Sequence, residues 1–177
     1  MRPIAEVAGQ ELLWTQPSLR REHELRAGDE VVASLRFQRG SLADAEAADG
    51  HWTFKRQGFW SPRVTVRTAG SETDLAVFHP RWIGGGTLEF PDGRAVRLSS
   101  ANFWQSEWVW QDNEKALIRI KGRHGFIKAN GAVEIQPEAV AYPDLAMLVL
   151  LGWYLILLHA EDSAAASSAA SVAAVSG

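Results

Sequence analysis

The chain of 177 residues contains no cysteine. That excludes disulfides, thiolate metal sites, a cysteine nucleophile and thiol redox chemistry at once. Excess positive charge is also lacking, because 18 Lys and Arg against 21 Asp and Glu leave a formal charge of -3. A general grip on nucleic acid needs a basic surface with many phosphate contacts, so nucleic acid is not an expected partner. The first ten residues carry one arginine and no apolar core, since Glu6 interrupts the short run there. A secretory signal is therefore not expected, and the cytoplasm is the default location.

Catalytic signatures are missing as well. His23, His51, His79, His124 and His159 fall on separate segments, with no H-E-x-x-H and no i, i+4 pair to hold a metal. There is no G-x-S-x-G, and glycines 84–86 precede a strand pattern rather than a helix, so they are a connector and not a phosphate cradle. Asp49, Asp92 and Asp112 sit in turn contexts, where carboxylates cap the backbone. The expectation is no catalytic residue, no metal, no cofactor and no enzyme.

What is present is 46% hydrophobic and 22% charged residues, the balance of one globular domain with a full core. From residue 12 to residue 135, short runs of alternating apolar and polar residues are separated by turn signals, the pattern of an all-β barrel or sandwich. Eleven or twelve strands are expected. In residues 30–38, Val31, Ala33, Leu35 and Phe37 share one face; in 51–56, Trp52 and Phe54 alternate with Thr53 and Lys55; in 63–68, Val64 and Val66 point inward. Pro91-Asp92-Gly93 sets a hairpin with Leu88 opposite Val96 and Thr87 opposite Arg97. Residues 102–111 form an aromatic strand. Residues 115–121 alternate Ala116, Ile118 and Ile120 against Lys115, Arg119 and Lys121, and 125–128 are expected to pair with 132–135 across Asn130-Gly131.

After Pro137 the pattern changes. Tyr142-Pro143-Asp144 leads into residues 145–158, LAMLVLLGWYLILL, which carry no charge and are apolar on every side of a helix. Such a helix is enclosed either by lipid or by its own protein. A span needs roughly 20 apolar residues, and this run is shorter. Asp144, Glu161 and Asp162 bracket it without a Lys or Arg, and Trp153-Tyr154 lie at its middle rather than at an interface. Enclosure by protein requires a barrel wider than the eight-stranded kind, and eleven-stranded cans around a helix meet that need. The expected architecture is thus mainly β: a closed antiparallel barrel of about 11–12 strands around a hydrophobic C-terminal helix at about residues 143–160. Residues 1–162 form one domain, and the Ser/Ala-rich residues 163–177 follow as a disordered or loosely helical tail.

This layout, with Tyr142-Pro143-Asp144-Leu145 opening the apolar helix, resembles the tubby C-terminal-like superfamily over roughly residues 10–162. The resemblance implies about twelve strands closed around a C-terminal apolar helix, no catalysis, and lipid or phosphoinositide binding in some members. No binding residue of that family maps onto a position here.

Two clusters are left as candidate binding surfaces. Lys115, Arg119, Lys121, Arg123 and Lys128 fall on adjacent strands, with the first four on one face, a cationic patch suited to anionic headgroups or phosphate. The competing reading is a solvated face balanced by neighbouring acids. Trp104, Trp108 and Trp110 share a face that is either a stacking platform for a sugar or base or the packing beside the helix. The primary expectation is a non-catalytic barrel that binds a lipid headgroup, a phosphoinositide or a protein. Its alternatives are a chain anchored in the membrane through residues 145–160 and a carbohydrate-active or ligand-binding domain using the tryptophan strand. Oligomeric state and ligand identity are left open.

Overall fold

The computed structural model describes residues 1–102, 105–124 and 129–175, with backbone alone at 123 and 124. Twelve strands run in chain order: β1 Leu12–Thr15, β2 Glu22–Ala27, β3 Glu30–Phe37, β4 Ala43–Ala47, β5 Gly50–Gln57, β6 Arg63–Thr68, β7 Ala76–Pro80, β8 Gly86–Glu89, β9 Ala95–Ser100, β10 Glu107–Asp112, β11 Lys115–His124 and β12 Ala129–Ile135. Each pairs antiparallel with the next, and β1 closes on β12, so the barrel has no free sheet edge to template aggregation. This is the expected architecture. The expected hairpin register also holds, with Leu88 opposite Val96 and Thr87 opposite Arg97.

The alternating side chains explain the closure, because every inward row needs an apolar filling. That filling is the helix α2, Leu145–Val175, preceded by a short turn of 3-10 helix at Pro137–Ala139. From Leu145 to Leu158 every residue of α2 is buried except the half-buried Leu155. By length and composition α2 is able to cross a membrane, but 78% of its most apolar stretch is buried within the barrel. A short helix α1, Ile4–Val7, buries Ile4 and Val7 completely and packs on the first part of α2, closing the end of the barrel where α2 enters.

Fitting an apolar helix inside requires room, and small residues provide it. Ala43, Ala45 and Ala47 of β4 are all buried. Gly131 of β12 leaves space for Trp153, since a Cβ there would lie 2.6 Å from the indole. Gly152 does the same from the helix side, where a Cβ would fall 2.5 Å from Ile120 Cδ1 and 2.7 Å from Trp110 Nε1. The large rings then lock the helix. Trp14 stacks on Trp153 with centroids 5.5 Å apart, Phe37 stacks on Tyr154 at 5.4 Å, and Tyr154 Oη donates to the Ser41 carbonyl at 2.7 Å.

Three expectations are corrected. Asn130 and Gly131 do not form a turn; they lie within β12, paired with Arg123 and Gly122 of a longer β11, because Gly131 is needed as packing space rather than as a turn residue. Residues 125–128, expected to form the partner strand, lie outside the described residues. A one-residue bulge between the Trp110–Ile118 and Gln111–Ala116 pairs resets the alternation of β11. Ala116 therefore shares the outer side with Arg119, and Lys115 comes into register with Asp112 instead of joining Arg119 and Lys121 on their face. Finally, α2 does not stop near Ala160. It continues over the Ser/Ala segment to Val175 as an exposed rod, favoured by alanine's high helix propensity, while Ser163, Ser167, Ser168 and Ser171 donate to carbonyls four residues back.

Candidate functional site

In an up-and-down barrel, alternate connections gather at opposite ends, and here the two ends differ in charge. The end where α2 enters is built from residues 28–29, 48–49, 69–75, 90–94, 113–114 and 136–144. In these connections Asp29, Asp49, Glu72, Asp74, Asp92, Glu114, Glu138 and Asp144 are set against one cation, Arg94, while Arg2 of the N-terminal segment that closes this end pairs with Glu30 and Lys115 lies beside Asp112. Arg94 bonds to both Asp92 and Asp144 at 2.8 Å, which holds the Asp92 carboxyl below the usual range. The other end, where α2 leaves, includes connections 16–21, 38–42, 58–62 and 81–85 and the described residues 101, 102, 105 and 106. These carry Arg20, Arg21, Arg39 and Arg81 and no acid at all.

Acids also border this cationic end, and they are paired: Glu22, next to Arg21 in the chain, with Arg36 at 3.1 Å, Glu107, next to Ser106, with Arg119 at 3.0 Å, and two more on α2. Glu161 accepts from Arg21 at 2.5 Å, and Asp162 accepts from Arg56 at 2.7 Å. Arg20, Arg39 and Arg81 are exposed, and their guanidinium groups meet no carboxylate within ion-pair distance among the described residues. An outward positive field is left at this end.

The same connections present large apolar side chains to solvent. Leu19 is 77% exposed, Phe59 88%, Trp60 93% and Ile83 71%, and Trp82 is fully exposed. Phe59 and Trp60 meet edge to face with centroids 5.3 Å apart. Scattered apolar residues on a surface need no explanation, but aromatic tips gathered on one cationic end do. Pattern reading missed these residues because it looks for alternation within strands. The available signal was Gly58-Phe59-Trp60-Ser61-Pro62 and Arg81-Trp82-Ile83-Gly84, two loop sequences that place bulky apolar pairs beside turn formers.

The sequence-predicted residues fall elsewhere or lack a common face. Arg119 is half-buried on the outside of β11, bonds to Glu107 at 3.0 Å and lies opposite Glu134. Lys121 is exposed opposite Glu107, and Lys115 is exposed at the acidic end beside Asp112. Neighbouring acids thus interleave with this row. The backbone of Arg123 pairs with Asn130, while Lys128 and Trp104 lie outside the described residues. Trp108 and Trp110 face inward and are buried, with Trp108 Nε1 donating to the Gln105 carbonyl at 3.0 Å, so neither ring forms a platform on the outer surface of the barrel.

Beneath the loops 58–62 and 81–85 lies a cavity of about 190 Å³ between the end of α2 and strands β6 to β9. Its floor is apolar, made by Val64, Phe78, Leu98, Trp108, Leu155 and Leu158, and its mouth carries Arg56, Arg81, His159 and Asp162. The His159 ring meets Trp108 at 5.2 Å and donates from Nε2 to Gln105 Oε1 at 2.5 Å. One wall is bare backbone: Gly84 and Gly85 have φ of +86° and +69°, and a Cβ on Gly85 would come within 2.1 Å of the Leu98 carbonyl oxygen. Among the described residues no three His, Asp or Glu side chains gather in an arrangement fit to hold a metal ion. Comparison with protein-family models, curated proteins and solved structures returned no match.

Proposed function

We propose that this chain is a non-catalytic module that docks on anionic membranes with the end of the barrel from which α2 emerges. The observation that carries the reading is the coincidence, on one end, of Leu19, Phe59, Trp60, Trp82 and Ile83 exposed to solvent with Arg20, Arg39 and Arg81 free of acid partners. Apolar rings at the level of the headgroups and cations near anionic lipid are the two contributions a peripheral membrane contact requires. Repulsion of the acidic end from the same surface sets the orientation. The resemblance of the layout to the tubby C-terminal-like superfamily, some of whose members bind lipid, agrees with this reading and does not carry it.

The row on β11 is a weaker candidate, since Glu107 and Glu134 offset Arg119 and Lys121. Vesicle flotation separates the two surfaces. The protein is expected to float with vesicles of phosphatidylcholine plus phosphatidylserine and to stay in solution with phosphatidylcholine alone. At about 1 kcal/mol per cation near the surface, Arg20→Gln, Arg39→Gln and Arg81→Gln together should weaken partitioning roughly 100-fold. Arg119→Glu with Lys121→Glu should change it little. Equal flotation of the triple variant and the parent, or loss confined to the β11 pair, overturns the assignment of the end. Failure to float with anionic vesicles overturns membrane docking itself and leaves a protein as the partner of the exposed rings.

A further inference from the structure

The cavity under loops 58–62 and 81–85 makes no contribution to docking through the loop tips, and its chemistry points to a small ligand of its own. At about 190 Å³ it is smaller than the roughly 300–1,000 Å³ sites that take drug-sized molecules, which excludes a two-tailed lipid or a fused ring system. Its depth is lined by Val64, Phe78, Leu98, Leu155 and Leu158, with no charged group among them, so only hydrocarbon is stabilised there. Its mouth is charged, but unevenly. Arg56 and Asp162 neutralise each other at 2.7 Å, and His159 spends its Nε2 on Gln105. Arg81 is left as the unmatched charge, and it is positive. An apolar shaft ending at one free guanidinium fits one kind of molecule.

We propose that this cavity binds the hydrocarbon chain of a single-tailed anionic amphiphile, with the head group held at Arg81. A fatty carboxylate and an anionic lysophospholipid share that chemistry and differ in source, the first from free solution and the second from a membrane. Gly84 and Gly85 line the cavity, and their backbone packs directly against Trp108 and the Leu98 carbonyl, which fixes that side of the shaft. A side chain at Gly85 would collide with the strand behind it.

Calorimetric titration in membrane-free solution, below the micelle concentration, tests the cavity without reference to vesicle docking; Arg81 serves both surfaces, and Leu155→Trp, which alters the cavity alone, keeps them separable, so either proposal can fail alone. Decanoate is expected to bind saturably, and decanol about tenfold more weakly because it lacks the charge that Arg81 meets. Arg81→Gln, an exposed position whose loss leaves the core untouched, should abolish the preference for decanoate over decanol. Leu155→Trp, which fills the shaft from a half-buried position, should abolish binding of both while the thermal melt stays cooperative. Binding of an anionic lysophospholipid without decanoate assigns the membrane as the source. The proposal is overturned if neither amphiphile binds saturably, if a folded Leu155→Trp protein binds as the parent does, or if decanol matches decanoate in the parent.

Discussion

His23 is a titratable side chain buried among apolar rings. It lies on β2, 4% exposed, with its ring edge to face against Trp153 at 6.1 Å and Phe37 at 6.5 Å. Its Nδ1 has no hydrogen-bond partner among the described residues. Burial, and to a lesser degree the charge of Arg21, pushes its pKa down from 6.5 to about 4. Between those two values the unfolded chain takes up a proton at this site and the folded chain does not, so folding stability falls as the pH falls through that window. A gap of this size corresponds to about 3 kcal/mol, fully present above the unfolded value and lost toward pH 4. Urea unfolding at the two ends of the window should show the parent losing about 3 kcal/mol more than His23→Leu. An equal loss in both proteins would show that the ring is not held neutral by burial. The alternation of His23 with Leu25 and Ala27 placed it on the inward face of its strand, but the rings it meets there, Phe37 and Trp153, come from distant segments that the sequence did not bring together.

At the scale of the element, α2 follows from its own composition. A helix apolar on every side has no face that tolerates water, and the shortness of the run together with the central Trp153-Tyr154 pair argued for a protein surround before any tertiary contact was considered. Leu151 is completely buried, so Leu151→Asp places an unpaired carboxylate against hydrocarbon at a cost of several kcal/mol. Circular dichroism should show no cooperative melt for that variant, and a melt close to the parent's would disprove enclosure. The strands were legible to the same degree, because a period of two reports which side faces the core. The bulge in β11 was not. Inserting one residue leaves the composition unchanged and flips every side chain beyond it, so Lys115 and Ala116 exchanged sides without any local signal.

Across the whole molecule, the dominant feature is the separation of charge along the barrel axis. Eight acids and one arginine in the connections of one end face four arginines and no acid in the described connections of the other, within a chain whose formal charge is only -3. Net charge therefore understates what an approaching surface meets. If docking is driven by this field, partitioning onto anionic vesicles should fall steeply as added salt shortens the Debye length from about 30 Å at 0.01 M to about 3 Å at 1 M. Partitioning that is insensitive to salt would assign the binding to the aromatic tips alone. The candidate site itself was hidden from sequence reading at this scale, because Arg20, Arg39, Trp60 and Trp82 are far apart in the chain and share an end only through the up-and-down order of the strands.

The sequence by itself determined the class of the fold: alternation made strands, turn residues separated them, and a charge-free helix required enclosure. Each of these is a local property, set by the period of the backbone and the transfer of side chains out of water. Only the tertiary structure decided the register of β11, the choice between burial and exposure for Trp108 and Trp110, and the gathering of exposed rings and unpaired arginines on one end. Those depend on which distant segments meet, and in a closed meander the parity of each connection, not its composition, selects the end to which it belongs.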